Sequence, residues 1–196
     1  IDSFLELNTY PISRYILNED GGNKDIVEKI SKKYPQFEII SNNEREGLLK
    51  SVDNLYSKVE TNGVFHVEDD WYFEGNPNFI EESINILENN PNIHQVWIRH
   101  NIPQSWIEPE DLGGFRMVKQ CHFGDWCGFS FNPSVKRLRD YNEMFPNGYN
   151  EFNRHGTNSA LDEHVCNQVA SAQGYRAAIL NNPACRHLGE GKSTYK

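Results

Sequence analysis

Glu68-Asp69-Asp70 follows the apolar run Val64-Phe65-His66-Val67 and runs straight into Trp71. Three consecutive carboxylates at the end of a buried strand repel one another, and a divalent cation relieves that repulsion. Hard oxygen ligands favour magnesium, calcium or manganese over zinc. The competing reading is a solvated acidic turn, because Asp commonly ends strands. His187, in Cys185-Arg186-His187-Leu188-Gly189, comes after the last strand expected from the sequence. A lone imidazole in such a polar, glycine-containing tail is either a surface residue or a ligand. A cation held by one carboxylate and one imidazole, with phosphate oxygens and water filling the rest of its shell, favours manganese slightly over magnesium. Arg45 and Lys192 could each meet a phosphate, with solvated surface as the alternative for either.

These residues have to be positioned by a regular scaffold, and the periodicity predicts one. Arg14–Leu17 is a short apolar strand ending at Asn18-Glu19-Asp20-Gly21-Gly22. Ile26, Val27, Ile30 and Tyr34 mark one face of a helix that Pro35 ends. Phe37–Ile40 is a second strand, and Leu48, Leu49, Val52, Leu55, Tyr56 and Val59 line a second helix. Val64–Val67 is the third strand. Strand, helix, strand, helix, strand implies a largely parallel sheet whose C-terminal edge can bring Asp20 and Glu68–Asp70 to one crevice. Further on, Asn76-Pro77 caps a helix carrying Phe79, Ile80, Ile84 and Leu87, and Gln95–Ile98 is a strand. Residues 101–114 read as an irregular loop, Phe115–Phe123 and Trp126–Phe131 as a hairpin, Asn132-Pro133-Ser134 as the opening of a short helix, and 146–160 as a mobile stretch. Leu161–Gln173 is a helix stopped by Gly174, and Tyr175–Leu180 is the last strand.

With 196 residues the chain suits one α/β domain with a single core. Its 19 basic against 28 acidic side chains leave a formal charge of −9, which excludes a nucleic-acid binder working through phosphate contacts. No apolar run approaches the roughly 18 residues of a membrane span. Cys121, Cys127, Cys166 and Cys185 form no CxxC pair, so they read as reduced thiols rather than a zinc site. Of 23 Asn only Asn132 has Ser or Thr two places on, and Pro133 blocks that glycosylation acceptor. Together these point to a reducing cytoplasm.

The ordered set of motifs resembles the GT-A glycosyltransferases, and within them family 2. Ile1–Leu5 through Tyr10-Pro11 looks like that fold's first helix, and Tyr15–Gly22 like its second strand and acidic turn. Asn42–Gly47 resembles the segment before the next helix, while Glu68-Asp69-Asp70 stands where the family carries its DxD-type motif. Leu161-Asp162-Glu163-His164, with Gly174 eleven residues after Glu163, resembles the acidic base motif, and His187-Leu188-Gly189 the late metal-binding histidine.

The resemblance implies a GT-A, Rossmann-like three-layer α/β sandwich with a mostly parallel central sheet. It covers 1–196 as one domain, with 1–100 the donor half and 101–196 the acceptor and catalytic half, and its first strand lies upstream of Ile1. It implies transfer from a UDP- or GDP-sugar to a glycan or other hydroxyl, with inversion, using Mn2+ or Mg2+. Asp20 would contact nucleobase or ribose, Glu68 and Asp69 would orient ribose and sugar hydroxyls, and Asp70 and His187 would hold the cation. Here Asp162 precedes Glu163, the reverse of the family's usual order, so spacing to Gly174 assigns the base to Glu163 and leaves Asp162 as the alternative base or a helix cap. Trp106 and Trp126 could stack an acceptor sugar, although aromatic rings at such places also serve as core packing. A non-catalytic nucleotide-sugar or glycan module and a nucleotidyltransferase remain the rival readings.

Overall fold

The computed structural model describes residues 1–119, 128–153 and 159–189. Helix α1 (Asp2–Leu7) leads into strand β1 (Tyr15–Glu19), helix α2 (Lys24–Lys33), strand β2 (Phe37–Ser41), helix α3 (Leu48–Tyr56) and strand β3 (Gly63–His66). These follow the periodicities, and local chemistry sets their ends. The Asn23 side chain caps α2 by accepting from Ile26 N at 3.2 Å, and Gly47, at φ +87°, turns the chain into α3. Helix α4 (Phe79–Asn89) begins two residues after Asn76-Pro77, because the Asn76 side chain accepts from Asn78 N at 2.9 Å in a turn of its own.

The central sheet has the order β3-β7-β5-β8-β6, where β5 is Ile93–Trp97, β6 Phe115–Met117, β7 Ser134–Arg137 and β8 Arg176–Leu180. It is mixed, and this corrects the expectation of a mostly parallel sheet. The segment after Asn132-Pro133, read from sequence as a helix, is strand β7, which runs antiparallel to both β3 and β5 and separates them. Only β5 and β8 pair in parallel within this sheet, and β6 closes it antiparallel to β8 rather than through the expected hairpin. The turn of that hairpin, with Trp126 and Cys127 of its second arm, falls outside the described residues, and Gly128–Phe131 is not a strand. Strands β1 and β2 pair in parallel as a separate ribbon, and strands β4 (Trp71–Phe73) and β9 (Cys185–His187) form an antiparallel pair that the sequence did not reveal.

Core residues of β3, β5 and β7 alternate between the faces. Phe65, Val96 and Val135 pack with α1 and α4 around Phe4, Phe79, Ile80 and Leu87. On the opposite face, Val64 joins α3, helix α5 (Leu138–Met144) and helix α6 (Ser159–Ala172) around Leu49, Tyr56, Phe129, Phe131 and Tyr149. The stretch from 146 is not loose as far as Asn153. Asp53 of α3 accepts from Tyr141 Oη and from the N–H groups of Tyr149 and Asn150, all at 2.8 Å, pinning a 3-10 turn over Tyr149–Phe152. Among the described residues no helix is long and apolar enough to cross a membrane.

Candidate active site

Strand β3 ends at His66, and the chain then exposes Asp69 and Asp70 before turning back into β4. The β4–β9 register places Trp71 opposite His187. As a result His187 Nε2 lies 2.7 Å from Asp70 Oδ2, and Leu188 N donates to the Asp70 carbonyl at 2.8 Å. A Cβ at Gly189 would sit 3.0 Å from His187 Cε1, so glycine there leaves the imidazole its place. The donor set fits a divalent cation: one hard carboxylate and one imidazole, each partly open to solvent, share a single point. Among the described residues no group of three or more ligating side chains exists, so such an ion would take its other ligands from substrate oxygens and water.

A second acidic pair lies beside this one. Glu68 is half-buried, and burial pushes its carboxyl up to about 7, with the charges of Glu163, Asp70 and Asp69 adding to the push and Trp71 opposing it. Glu163 enters from the first turns of α6. Its Oε1 accepts from Phe131 N at 2.7 Å and from Ser130 Oγ at 3.3 Å. Burial raises Glu163 as well, against those two hydrogen bonds and the charges of Arg99 and Lys136. Asp162 is 2% exposed and lies within the first turn of α6, which begins at Ser159, so it is not at the N-cap position. Two buried carboxyls that share a field and are both raised from the ordinary carboxylate range are the kind of pair that serves as general base or acid.

Two cations serve this acidic pocket, and neither was picked out from the sequence. Arg99 follows β5, stacks its guanidinium 5.2 Å from the Trp97 ring centre, and is lowered by burial to about 10 while Glu163 and Glu68 hold it up. Lys136 lies in the interior on β7. An Arg two residues beyond a buried strand, at the same edge as the acids, was the available signal for Arg99. Nothing in Ser134-Val135-Lys136-Arg137 marks Lys136 as buried.

Asp20 lies in a different constellation. Its carboxylate accepts from Glu46 N at 2.7 Å, Gly47 N at 2.8 Å and Asn42 Nδ2 at 2.9 Å. Burial works to raise it, but these donors outweigh burial and lower it. It thereby ties the end of β1 to the start of α3, beside an open polar groove of about 670 Å³ lined by Asn42, Asn43, Arg45 and Lys50 among others. Trp106 packs half-buried against Trp97, Ile102, Ile107 and Val118. Trp126 and Lys192 lie outside the described residues.

No family model and no curated protein sequence matches this chain. Solved structures do. TarS 1–349 of S. aureus in complex with UDP aligns over 93% of this chain and 54% of its own, with a TM-score of 0.62 and 13% identity. GalNAc-T7 with UDP, GalNAc and Mn2+ aligns over 94% of this chain and 39% of its own, with a TM-score of 0.61 and 11% identity. The chain thus spans about half or less of the length of the structures it matches. At such identities the likeness speaks for architecture alone, and the architecture is that of the GT-A glycosyltransferases.

Proposed function

We propose that this chain is a metal-dependent glycosyltransferase domain that moves a hexosyl or N-acetylhexosaminyl group from a UDP- or GDP-sugar to the hydroxyl of a glycan or other acceptor, with inversion. The observation that carries this reading is that Glu68, two residues before the Asp70 carboxylate that His187 meets, lies within electrostatic reach of both Asp70 and Glu163, and that burial raises Glu68 and Glu163 alike. Glu163 accepts the acceptor's proton, and the freed oxygen bonds to the anomeric carbon as the bond to the diphosphate breaks. Phe131 N and Ser130 Oγ orient that carboxylate; Asp162, one residue earlier, is the alternative base. Glu68 and Asp69 orient ribose and sugar hydroxyls. The groove beside Asp20, with Arg45 at its rim, takes the nucleotide. Mn2+ or Mg2+ held by Asp70 and His187 would supply positive charge for the leaving diphosphate. The solved GT-A glycosyltransferases with UDP, one of them also with Mn2+, support this choice of ligands.

In this reading 1–100 forms the donor half and 101–196 the acceptor and catalytic half, with Trp106 and Trp126 on the acceptor side. Cys166 and Cys185, free and buried, support action in the cytoplasm.

A thermal-shift panel of nucleoside diphosphates with and without Mn2+ tests the proposal. One nucleotide should raise the unfolding midpoint, because a ligand of the native state stabilises it, and the Mn2+-dependent part of the rise should vanish in Asp70→Ala. Glu163→Gln should keep the shift yet lower sugar transfer by about 10²–10⁴-fold. If no nucleotide moves the midpoint, the donor site does not exist as described; a shift without transfer in the unaltered chain makes it a binding module.

A further inference from the structure

Lys136 is 3% exposed, a degree of burial that lysine almost never reaches without a partner. Strand β7 fixes it in the sheet, opposite Val64 of β3 and Gln95 of β5. Its Nζ donates to the Ser130 carbonyl at 3.0 Å and lies 4.9 Å and 5.3 Å from the ring centres of Phe129 and Phe131. Packing alone does not call for an ammonium here, since a methionine fills a similar volume without the cost of burying a charge.

The turn that Lys136 grips is the one that holds Glu163. Phe131 N and Ser130 Oγ both bond Glu163 Oε1, and Ser130 Oγ also accepts from Asn132 N at 3.0 Å, which directs its proton toward the carboxylate. One short segment therefore has a buried cation on its carbonyl and a buried carboxylate on its N–H and hydroxyl. Among the described residues, the ionisable groups facing Glu163 include Glu68 beyond β3, Arg99 beyond β5, Lys136 on β7 and Cys166 on its own helix. His66 and His94 face Lys136 from β3 and β5.

We propose that Lys136 is the positioning residue of the Glu163 carboxylate: it fixes the Ser130–Phe131 turn that bonds Glu163 and supplies an interior positive charge facing it. This deepens the reading of Glu163 as base and rests on it for its consequence in turnover. Its electrostatic core is a property of the chain alone.

The test is a carboxyl-13C NMR titration of glutamate-labelled protein without donor, with Glu163→Gln identifying the signal. In Lys136→Met the Glu163 midpoint should rise by about one pH unit, and Lys136→Arg should bring it back, since a neighbouring opposite charge shifts a carboxyl by this order. A folded Lys136→Met protein with an unmoved midpoint overturns the proposal. Should that variant not fold, the reciprocal titration decides: the Lys136 side-chain signal should titrate lower in Glu163→Gln than in the unaltered chain, and an unchanged value overturns the proposal equally. If the chain transfers sugar, the acid limb of kcat should move upward in Lys136→Met and return in Lys136→Arg, whereas a uniform fall at every pH would mean a structural role only. A shifted titration without any transfer would leave the Lys136 assignment standing and remove the glycosyltransferase reading.

Discussion

His66 and His94 share their interior with Lys136, and burial together with that ammonium drives both imidazoles away from the charged form. His94 is 2% exposed, stacks its ring on Phe129 at 5.8 Å, places Nε2 3.2 Å from the Gly128 carbonyl, and titrates only at about 3. In the unfolded chain the same imidazole takes its proton near 6.5. The stability it contributes is therefore complete above pH 6.5 and is lost as pH falls from 6.5 towards 3, at up to ~1.4 kcal/mol per pH unit. Urea unfolding between pH 6.5 and 4 should show a flatter pH slope for His94→Gln than for the unaltered chain. The raised carboxyls of Glu68 and Glu163 favour folding on acidification, but they act in both proteins and cancel in the difference; equal slopes would refute the assignment. The acids at this site were legible because carboxylates at a strand end are expensive unless something answers them. The buried cations were not, because Lys136 in a short polar segment reads the same whether it meets water or a ring face.

Gly128 joins two elements, β5 and α6. Its carbonyl accepts from Gln95 Nε2 at 3.0 Å and meets His94 of β5, while a Cβ on it would lie 2.4 Å from Oδ1 of Asn167 in α6. Its φ of +104° is itself costly for an L side chain. Gly174, which ends α6 at φ +82°, has nothing within 4 Å of its added Cβ. Gly174→Ala should therefore lose only the backbone term, about 1–2 kcal/mol. Gly128→Ala should lose a further ~1–3 kcal/mol, because the buried Asn167 side chain of α6 must give way to admit the methyl. Chemical unfolding of the two variants checks this, and equal losses would mean that α6 is not seated on Gly128. Helix α6 was legible from its length and from Gly174, as α2, α3 and α4 were from their apolar stripes. Strand β7 was not, since both Ser134 and Lys136 are buried polar residues and erase the alternation that would mark a strand. Strands β4 and β9, three residues each, are too short to carry a period.

At the scale of the molecule, strand–helix alternation made the α/β class readable, but strand order depends on long-range pairing that no local pattern encodes. The charge of −9 acquires a location: several of the acids cluster at Glu68–Asp70 and Asp162–Glu163, where a bound cation would reverse the local sign. Burial is unevenly distributed. Strand β5 is buried along its whole length, and four of the five residues of β8 are buried, whereas β1, β2 and α2 contain no buried residue at all. What holds the β1–β2 ribbon is mostly polar: Asp20 on the Asn42–Gly47 segment, Arg14 on the Lys58 carbonyl and Glu38, and Lys33 with Tyr34 on Asp2. Segments with few buried apolar contacts open at lower free energy than the core. Hydrogen exchange should accordingly release the ladder amides of Tyr15–Glu19 and Phe37–Ser41 at least about tenfold faster than those of Ile93–Trp97, equivalent to ~1.4 kcal/mol less protection. Saturating nucleotide with Mn2+ should narrow that gap, because a ligand in the groove beside Asp20 bridges the ribbon to α3 and must be released before the ribbon opens. Uniform protection across both sheets would show the ribbon to be part of one cooperative core, and a gap untouched by every nucleotide would separate the groove from ligand binding.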